Sequence, residues 1–210
     1  MTTAAEALAA IASDVIADRD ELNRLDAVAG DGDLGVTIAA VAAAVMSTVQ
    51  QSPGDGDLAT LLRGCGMAIA RQAASTSGTL IATGFLRAAA AVARPADSET
   101  ARLASAVEAS VVGIQERGKA AVGDKTMLDA LVPAAEALRT AADEGASLLA
   151  AVEQAAAAAD RAARATVEMR PKVGRASWLA DRSEGHIDPG AYLVALTLGC
   201  AVRWLRSQNT

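Results

Sequence analysis

Three aspartates lie close together in LDAVAGDGDLG, residues 25–35: Asp26, Asp31 and Asp33. On an unbroken helix Asp26 and Asp33 would share a face and Asp31 would point elsewhere. Gly30, Gly32 and Gly35 interrupt that helix and permit the positive-φ turns that can fold all three carboxylates inward. Three hard oxygen donors on a short loop suit Mg²⁺, which keeps part of its water shell and shares itself with phosphate oxygens. A calcium EF-hand does not fit, because the position that needs a bidentate glutamate is Thr37. The bland reading is a solvated turn between two helices, since Asp-Gly turns are common.

The residues that follow favour an anion. Gly35-Val36-Thr37 opens an apolar helix, and a helix start after a glycine turn offers N–H donors and a positive dipole end. A carboxylate cluster repels a phosphate unless a cation lies between them. Three aspartates and a diphosphate carry roughly six negative charges, which favours two Mg²⁺ over one. The words GDGDL recur at residues 54–58, but no third aspartate precedes them at the same spacing and Ala59 replaces the glycine. There Asp57 is expected to cap the helix beginning near Leu58. Ser75, Thr76 and Ser77, before Gly78, form either a second anion site or an ordinary Ser/Thr cap.

Other signals are weaker. GIQERGKA, residues 113–120, has the glycine and lysine spacing of a phosphate-binding P-loop. It lacks the Ser/Thr, where Ala120 stands, and no strand precedes it, so it is rejected. In AVGDKTMLDALVPA, Asp124 suits a helix cap and Lys125 could meet a phosphate. His186 is the only histidine, and no Ser-His-Asp arrangement is evident.

These residues must be positioned by helices. The chain has 210 residues, 52% of them hydrophobic but only 2% aromatic, so a sizeable core would be filled by Ala, Leu, Val and Ile. Apolar residues recur at helical spacing nearly throughout, with no convincing strand alternation. The breakers divide the chain into about eight helical segments: 2–25, 36–50, 57–73, 78–93, 98–117, 125–142, 146–169 and 190–206. The expected fold is therefore all-α, a single-domain barrel or bundle over residues 1–210 with antiparallel neighbours. One connection, from Pro171 to Gly190, is long and polar and carries Arg175, Trp178, Arg182, His186 and Asp188. Long loops in compact domains are usually functional or disordered.

Composition also excludes partners. The formal charge of −6 and the scarcity of rings argue against nucleic acid and against an anionic membrane surface. The N-terminal residues show no basic signal region, and no charge-free apolar run reaches the length of a membrane span. Cys65 and Cys200 lack CxxC spacing and read as reduced core residues, so a cytoplasmic location is expected.

Four stretches, in order, resemble DhaL, the nucleotide-binding L subunit family of dihydroxyacetone kinase: LNRLDAVAGDGDLG, STSGTL, RGKAAVGDKTMLDALVPA and GRASWLADRSEGHIDPGA. They span Leu22 to Ala191, and the last two are long and unusual. The resemblance implies a barrel of eight antiparallel helices with ADP or ATP held at one end by two Mg²⁺. It puts the metal ligands on Asp26, Asp31 and Asp33. Nucleotide contacts fall on Leu34, Gly35, Val36 and Thr37, on Thr76 and Ser77, and on Gly118 and Met127 beside the base. Further contacts fall on Arg175, which would also offset charge on the moving phosphoryl group, and on Asp188, Pro189 and Gly190.

The implied partners are a K subunit that holds the ketose covalently on its own histidine and, in one variant, a phosphotransferase-system protein that recharges bound ADP. In the other variant ATP exchanges at each turnover. The ketose would be dihydroxyacetone or another short ketose such as erythrulose. A different reading from the same family is a non-catalytic nucleotide sensor that regulates a transcription factor. The sequence departs from the usual pattern at Ala74 and Ser75, where Gly-Gly is common, at Leu34, where histidine is common, and in SWLADRS, which replaces SYLGERS.

Overall fold

Alanine and glycine carry no bulk beyond Cβ, so helices rich in them can approach closely and still exclude water. That property shapes the whole chain. The computed structural model describes residues 4–52 and 57–209, with every side chain among them except that of Arg175. Among the described residues there are ten α-helices and no strand. They are α1 (Ala4–Ile16), α2 (Arg19–Asp26), α3 (Leu34–Gln51), α4 (Leu58–Gln72), α5 (Thr76–Val92), α6 (Glu99–Gly118), α7 (Leu128–Asp143), α8 (Leu148–Ala165), α9 (Ala180–Ser183) and α10 (Pro189–Ser207).

The long helices form a closed ring. α1 packs on α3, then α3 on α4, α4 on α5, α5 on α6, α6 on α7, α7 on α8, α8 on α10, and α10 returns to α1. The short α2 lies against α3 and α10. The interior is filled as composition demanded. Ala104, Ala130, Ala134, Ala141, Ala151, Ala155 and Ala159 build one cluster with Leu138 and Val152. Val41, Ala44, Val45, Leu61, Cys65 and Ile69 build another. Both cysteines are free and buried. α3 is long and apolar enough to cross a membrane, yet Val41, Ala44 and Val45 on it are buried against α4 and α5.

Short connections make consecutive ring helices antiparallel. The N-termini of α3, α5, α7 and α10 therefore gather at one end, with the C-termini of α4, α6 and α8. Two contacts tie that end together. Thr37 Oγ1 donates to Ser75 Oγ at 3.1 Å, joining the first turn of α3 to the cap of α5. Gly190 at the start of α10 lies so close to Met127 at the start of α7 that a Cβ would stand 3.1 Å from Met127 Cβ.

Some segment boundaries differ from expectation. The segment expected at 2–25 is two helices, broken at Ala17-Asp18. No glycine or proline marks the break; Asp18 instead receives the Tyr192 hydroxyl at 3.0 Å from α10, a contact periodicity cannot foretell. The helix expected from 125 starts at Leu128, because Lys125 has φ of 60°. The helix expected to reach 169 ends at Ala165 and continues as a 3-10 turn, Thr166–Glu168. The long connection contains a 3-10 turn, Arg175–Leu179, and α9.

Candidate functional site

The aspartate loop leaves α2 at Asp26 and enters α3 at Leu34. A bond from backbone to side chain crosses the turn: the Asp33 N–H donates to Asp26 Oδ2 at 3.0 Å. Gly30 N–H donates to the Asp26 carbonyl at 2.7 Å. A side chain at Gly30 would collide with the Asp26 carboxylate, and Gly32 has φ of 76°. The glycines thus do what the sequence implied: they let the chain double back so that Asp26, Asp31 and Asp33 each offer an oxygen within 4.8 Å of the others. Asp26 is half-buried and the other two are exposed, so the set faces an open approach. Its donors are all carboxylate oxygens, the chemistry a hard divalent cation takes.

Behind this loop, α3 begins with its donors unevenly committed. The Gly35 N–H donates to Asn23 Oδ1 at 2.7 Å, so it is engaged with α2. A Cβ at Gly35 would run into the Arg19 carbonyl oxygen, which makes glycine the residue that permits α2 and α3 to meet here. The first N–H groups of a helix have no intrahelical partner, and those of Leu34 and Val36 belong to the first turn of α3. Leu34 is buried and Val36 is 55% exposed. Thr37 is buried and bonded to Ser75.

The second loop resolves the choice left open for Ser75. Its hydroxyl accepts the Gly78 N–H at 3.0 Å and is the N-cap of α5. Thr76 and Ser77 occupy the first turn of that helix. Gly78 cannot carry a side chain, because a Cβ would meet the Ala73 carbonyl oxygen.

The third stretch lies between α6 and α7. Gly118 is the last residue of α6, and a Cβ on it would press on Leu80 of α5. Leu80 and Met127 pack on the same cluster of Val111, Ile114 and Leu128, which brings the Gly118 and Met127 segments together. Two sequence readings need correction here. Asp124 does not cap α7; its carboxylate accepts the Ala121 N–H at 2.8 Å within its own turn. The helix start is held instead by Asp129, only 2% exposed, which accepts the N–H groups of Gly123 at 2.5 Å and Thr126 at 2.7 Å. Lys125 is 3% exposed and donates to the carbonyls of Met169 at 3.1 Å and Ser183 at 2.6 Å, so it is not placed to meet a phosphate. Burial pushes its ammonium pKa down, and the nearby Asp188 and Glu184 carboxylates oppose that shift.

The fourth stretch ends at α10. Asp188 is its N-cap, accepting the Ala191 N–H at 2.8 Å, while the Asp188 N–H donates to Thr166 Oγ1 at 2.9 Å. Desolvation pushes the Asp188 carboxyl up to about 7, with backbone bonds and Lys125 pulling the other way and Asp129 adding to the rise. Pro189 and Gly190 form the first turn of α10. The Arg175 backbone starts a 3-10 turn after Gly174, whose φ is 69°; the Arg175 side chain lies outside the described ones. Trp178, three residues on, is 84% exposed.

The ring thus brings all four stretches to one end. Of the second GDGDL, only Asp57 and Leu58 are among the described residues. Asp57 Oδ2 accepts the Thr60 N–H at 3.0 Å and caps α4, at the opposite end of the ring. Asp55 lies outside the described residues. Sequence reasoning missed Asn23, which anchors Gly35, and Asp129. A signal for Asp129 was present, since Thr126 and Asp129 have capping-box spacing. Asn23 had none, because its partner lies beyond the turn.

The DAK2 domain family model matches residues 28–202. The chain is 37% identical over 210 residues to an L-erythrulose kinase of Pectobacterium atrosepticum, covering 98% of this chain and 35% of that protein. It is 35% identical over 176 residues to the ADP-binding subunit DhaL of the PEP-dependent dihydroxyacetone kinase of Escherichia coli, covering 83% of this chain and 82% of that subunit. The crystal structure of the dihydroxyacetone kinase of C. freundii in complex with AMP-PNP and Mg²⁺ superposes with a TM-score of 0.76 at 26% identity. That superposition covers 97% of this chain and 34% of the other. The chain thus spans about a third of the two longer proteins.

Proposed function

The chain belongs to the DAK2 domain family, and from that premise we propose that it is the nucleotide-bearing, phosphoryl-donor component of a short-ketose kinase. The observation that carries this reading is the convergence of Asp26, Asp31 and Asp33 directly before the N-terminus of α3. Carboxylates alone would repel a nucleotide; carboxylates beside positive dipole ends suit a metal–phosphate pair.

In this reading Asp26, Asp31 and Asp33 hold Mg²⁺, two ions by charge balance, against the phosphates of ADP or ATP. The bound metal supplies charge neutralisation of the phosphates. The N–H groups of Leu34 and Val36 and the first turn of α5, with Thr76 and Ser77, receive phosphate oxygens. Gly35 serves by permitting the helix contact, and Thr37 by fixing α3 against Ser75. Gly118 and Met127 flank the base, and Asp188, Pro189 and Gly190 shape the mouth of the site from α10. Arg175 offsets charge on the moving group. Phosphoryl transfer depends mainly on positioning and charge, so a chain without its own nucleophile can serve as donor.

The acceptor is a ketose, dihydroxyacetone or erythrulose, held covalently on a K subunit. The named activities of the relatives support that range of substrates. A phosphotransferase-system protein that recharges bound ADP is in keeping with the PEP-dependent relative. The acidic charge of −6 fits a protein working in the cytoplasm without nucleic acid or membrane as partner. The closed ring of the described residues supports reading residues 1–210 as one domain.

Calorimetry tests the metal loop. Wild type should bind ADP only with Mg²⁺ present, and Asp31→Ala should lose at least a hundredfold in affinity. Equal affinity in the variant would refute the assignment.

A further inference from the structure

The connection between α8 and α10 is held by one buried ammonium. Lys125 Nζ donates to the carbonyl of Met169 and to that of Ser183, on either side of the segment that contains Arg175. The Lys125 backbone sits in the left-handed region, with φ of 60°. That conformation is uncommon for a residue with a side chain, and here it lies at the entry to α7. A buried ammonium is costly unless its protons are accepted. Here two carbonyls accept, and the Asp188 and Glu184 carboxylates lie near.

Weaker stitches run beside it. The Lys172 N–H donates to the Asp124 carbonyl at 3.1 Å, and the Gly185 N–H to the Val167 carbonyl at 3.2 Å. Arg170 pairs with Asp181 and, at 3.2 Å, with Glu184. These pairs are solvent-exposed and contribute little against screening. Beyond the neck the segment packs on itself: the 3-10 turn lies on α9, and Ser177 bonds back to the Gly174 carbonyl. Its placement therefore depends on the neck, and the neck depends on Lys125.

We propose that Lys125 is a positioning residue that clamps both ends of the 169–183 loop and so fixes where the segment carrying Arg175 can lie. This rests on the phosphoryl-donor reading for its functional meaning, while the clamp itself is structural. It also gives a reason for a lysine where the sequence suggested a phosphate ligand: its charge is spent on the loop.

The loop offers its own reporters. Lys172, Arg175 and Arg182 are tryptic sites, and Trp178 is one of only two tryptophans, the other being Trp204 in α10. In a Trp204→Phe background, Lys125→Met should raise the rate of tryptic cleavage within the loop at least tenfold under native conditions. It should also lower the fluorescence anisotropy of Trp178. Phosphotransfer kcat with the K subunit should fall at least tenfold while the Kd for Mg–ADP moves less than threefold.

If Lys125→Met does not fold, Lys125→Gln, with a shorter neutral donor, should give loop cleavage at least threefold faster than wild type. A folded variant with wild-type cleavage and anisotropy overturns the clamp. A loosened loop with wild-type kcat overturns the positioning role. Failure of wild type to bind Mg–ADP would sink the donor reading and leave the clamp standing.

Discussion

Asp26, Asp31 and Asp33 show how far residue types alone can lead. Their spacing and the intervening glycines were enough to suggest an oxygen-donor cluster, and the three carboxylates do converge within 4.8 Å. Asp188 and Lys125 show where such reading stops. Both carry charge in polar sequence, yet Lys125 is buried and the Asp188 carboxyl is desolvated. Burial is decided by neighbours remote in sequence. The raised Asp188 pKa, about 7 against 3.8, has a definite sign. The folded state binds this proton more tightly than the unfolded chain, so its contribution to stability is full below about 3.8 and is lost as pH rises toward 7. Asp188→Asn retains a good cap and cannot ionise. Measured by urea unfolding in EDTA, the variant should gain on wild type from pH 5 to about pH 7 and level off above it. A constant difference across that range would mean the carboxyl is ionised throughout.

Helices were legible as elements because apolar spacing and capping residues agree. Ser75, Ser98, Ser147 and Asp188 each accept an N–H at the start of a helix. The break at Ala17-Asp18 was not legible, since helical periodicity continues across it and its determinant is a hydrogen bond from Tyr192. The early end of α8 was equally hidden, because Thr166 turns its hydroxyl to the Ala163 carbonyl and receives the Asp188 N–H. The duplicated GDGDL belongs to this scale too: one copy links α2 to α3, and in the other Asp57 caps α4. Asp57→Ala should lower the melting temperature by a few degrees and leave Mg–ADP affinity unchanged in calorimetry. A loss of metal-dependent binding would give the second copy a role it lacks here.

As a whole molecule, the chain is a ring in which the aspartate loop lies directly before the N-terminus of α3, at the end where α5, α7 and α10 also begin. A ligand bound there by several loops at once should stabilise the fold by mass action. At roughly a hundredfold excess over Kd, Mg–ADP should add about 2.7 kcal/mol of unfolding free energy. Chelating the metal should remove that gain in a thermal scan. A gain that survives EDTA would place the nucleotide away from the carboxylates. The sequence by itself determined the all-α class, the alanine-filled core, the converging carboxylate loop and the long connection, since each follows from local composition, spacing and turn chemistry. Only the tertiary structure decided that Gly35 gives its N–H to Asn23 and that Lys125 bonds to loop carbonyls rather than standing free for a phosphate. Those outcomes depend on ring closure, which joins residues far apart in the chain, and no periodicity within a helix carries that information.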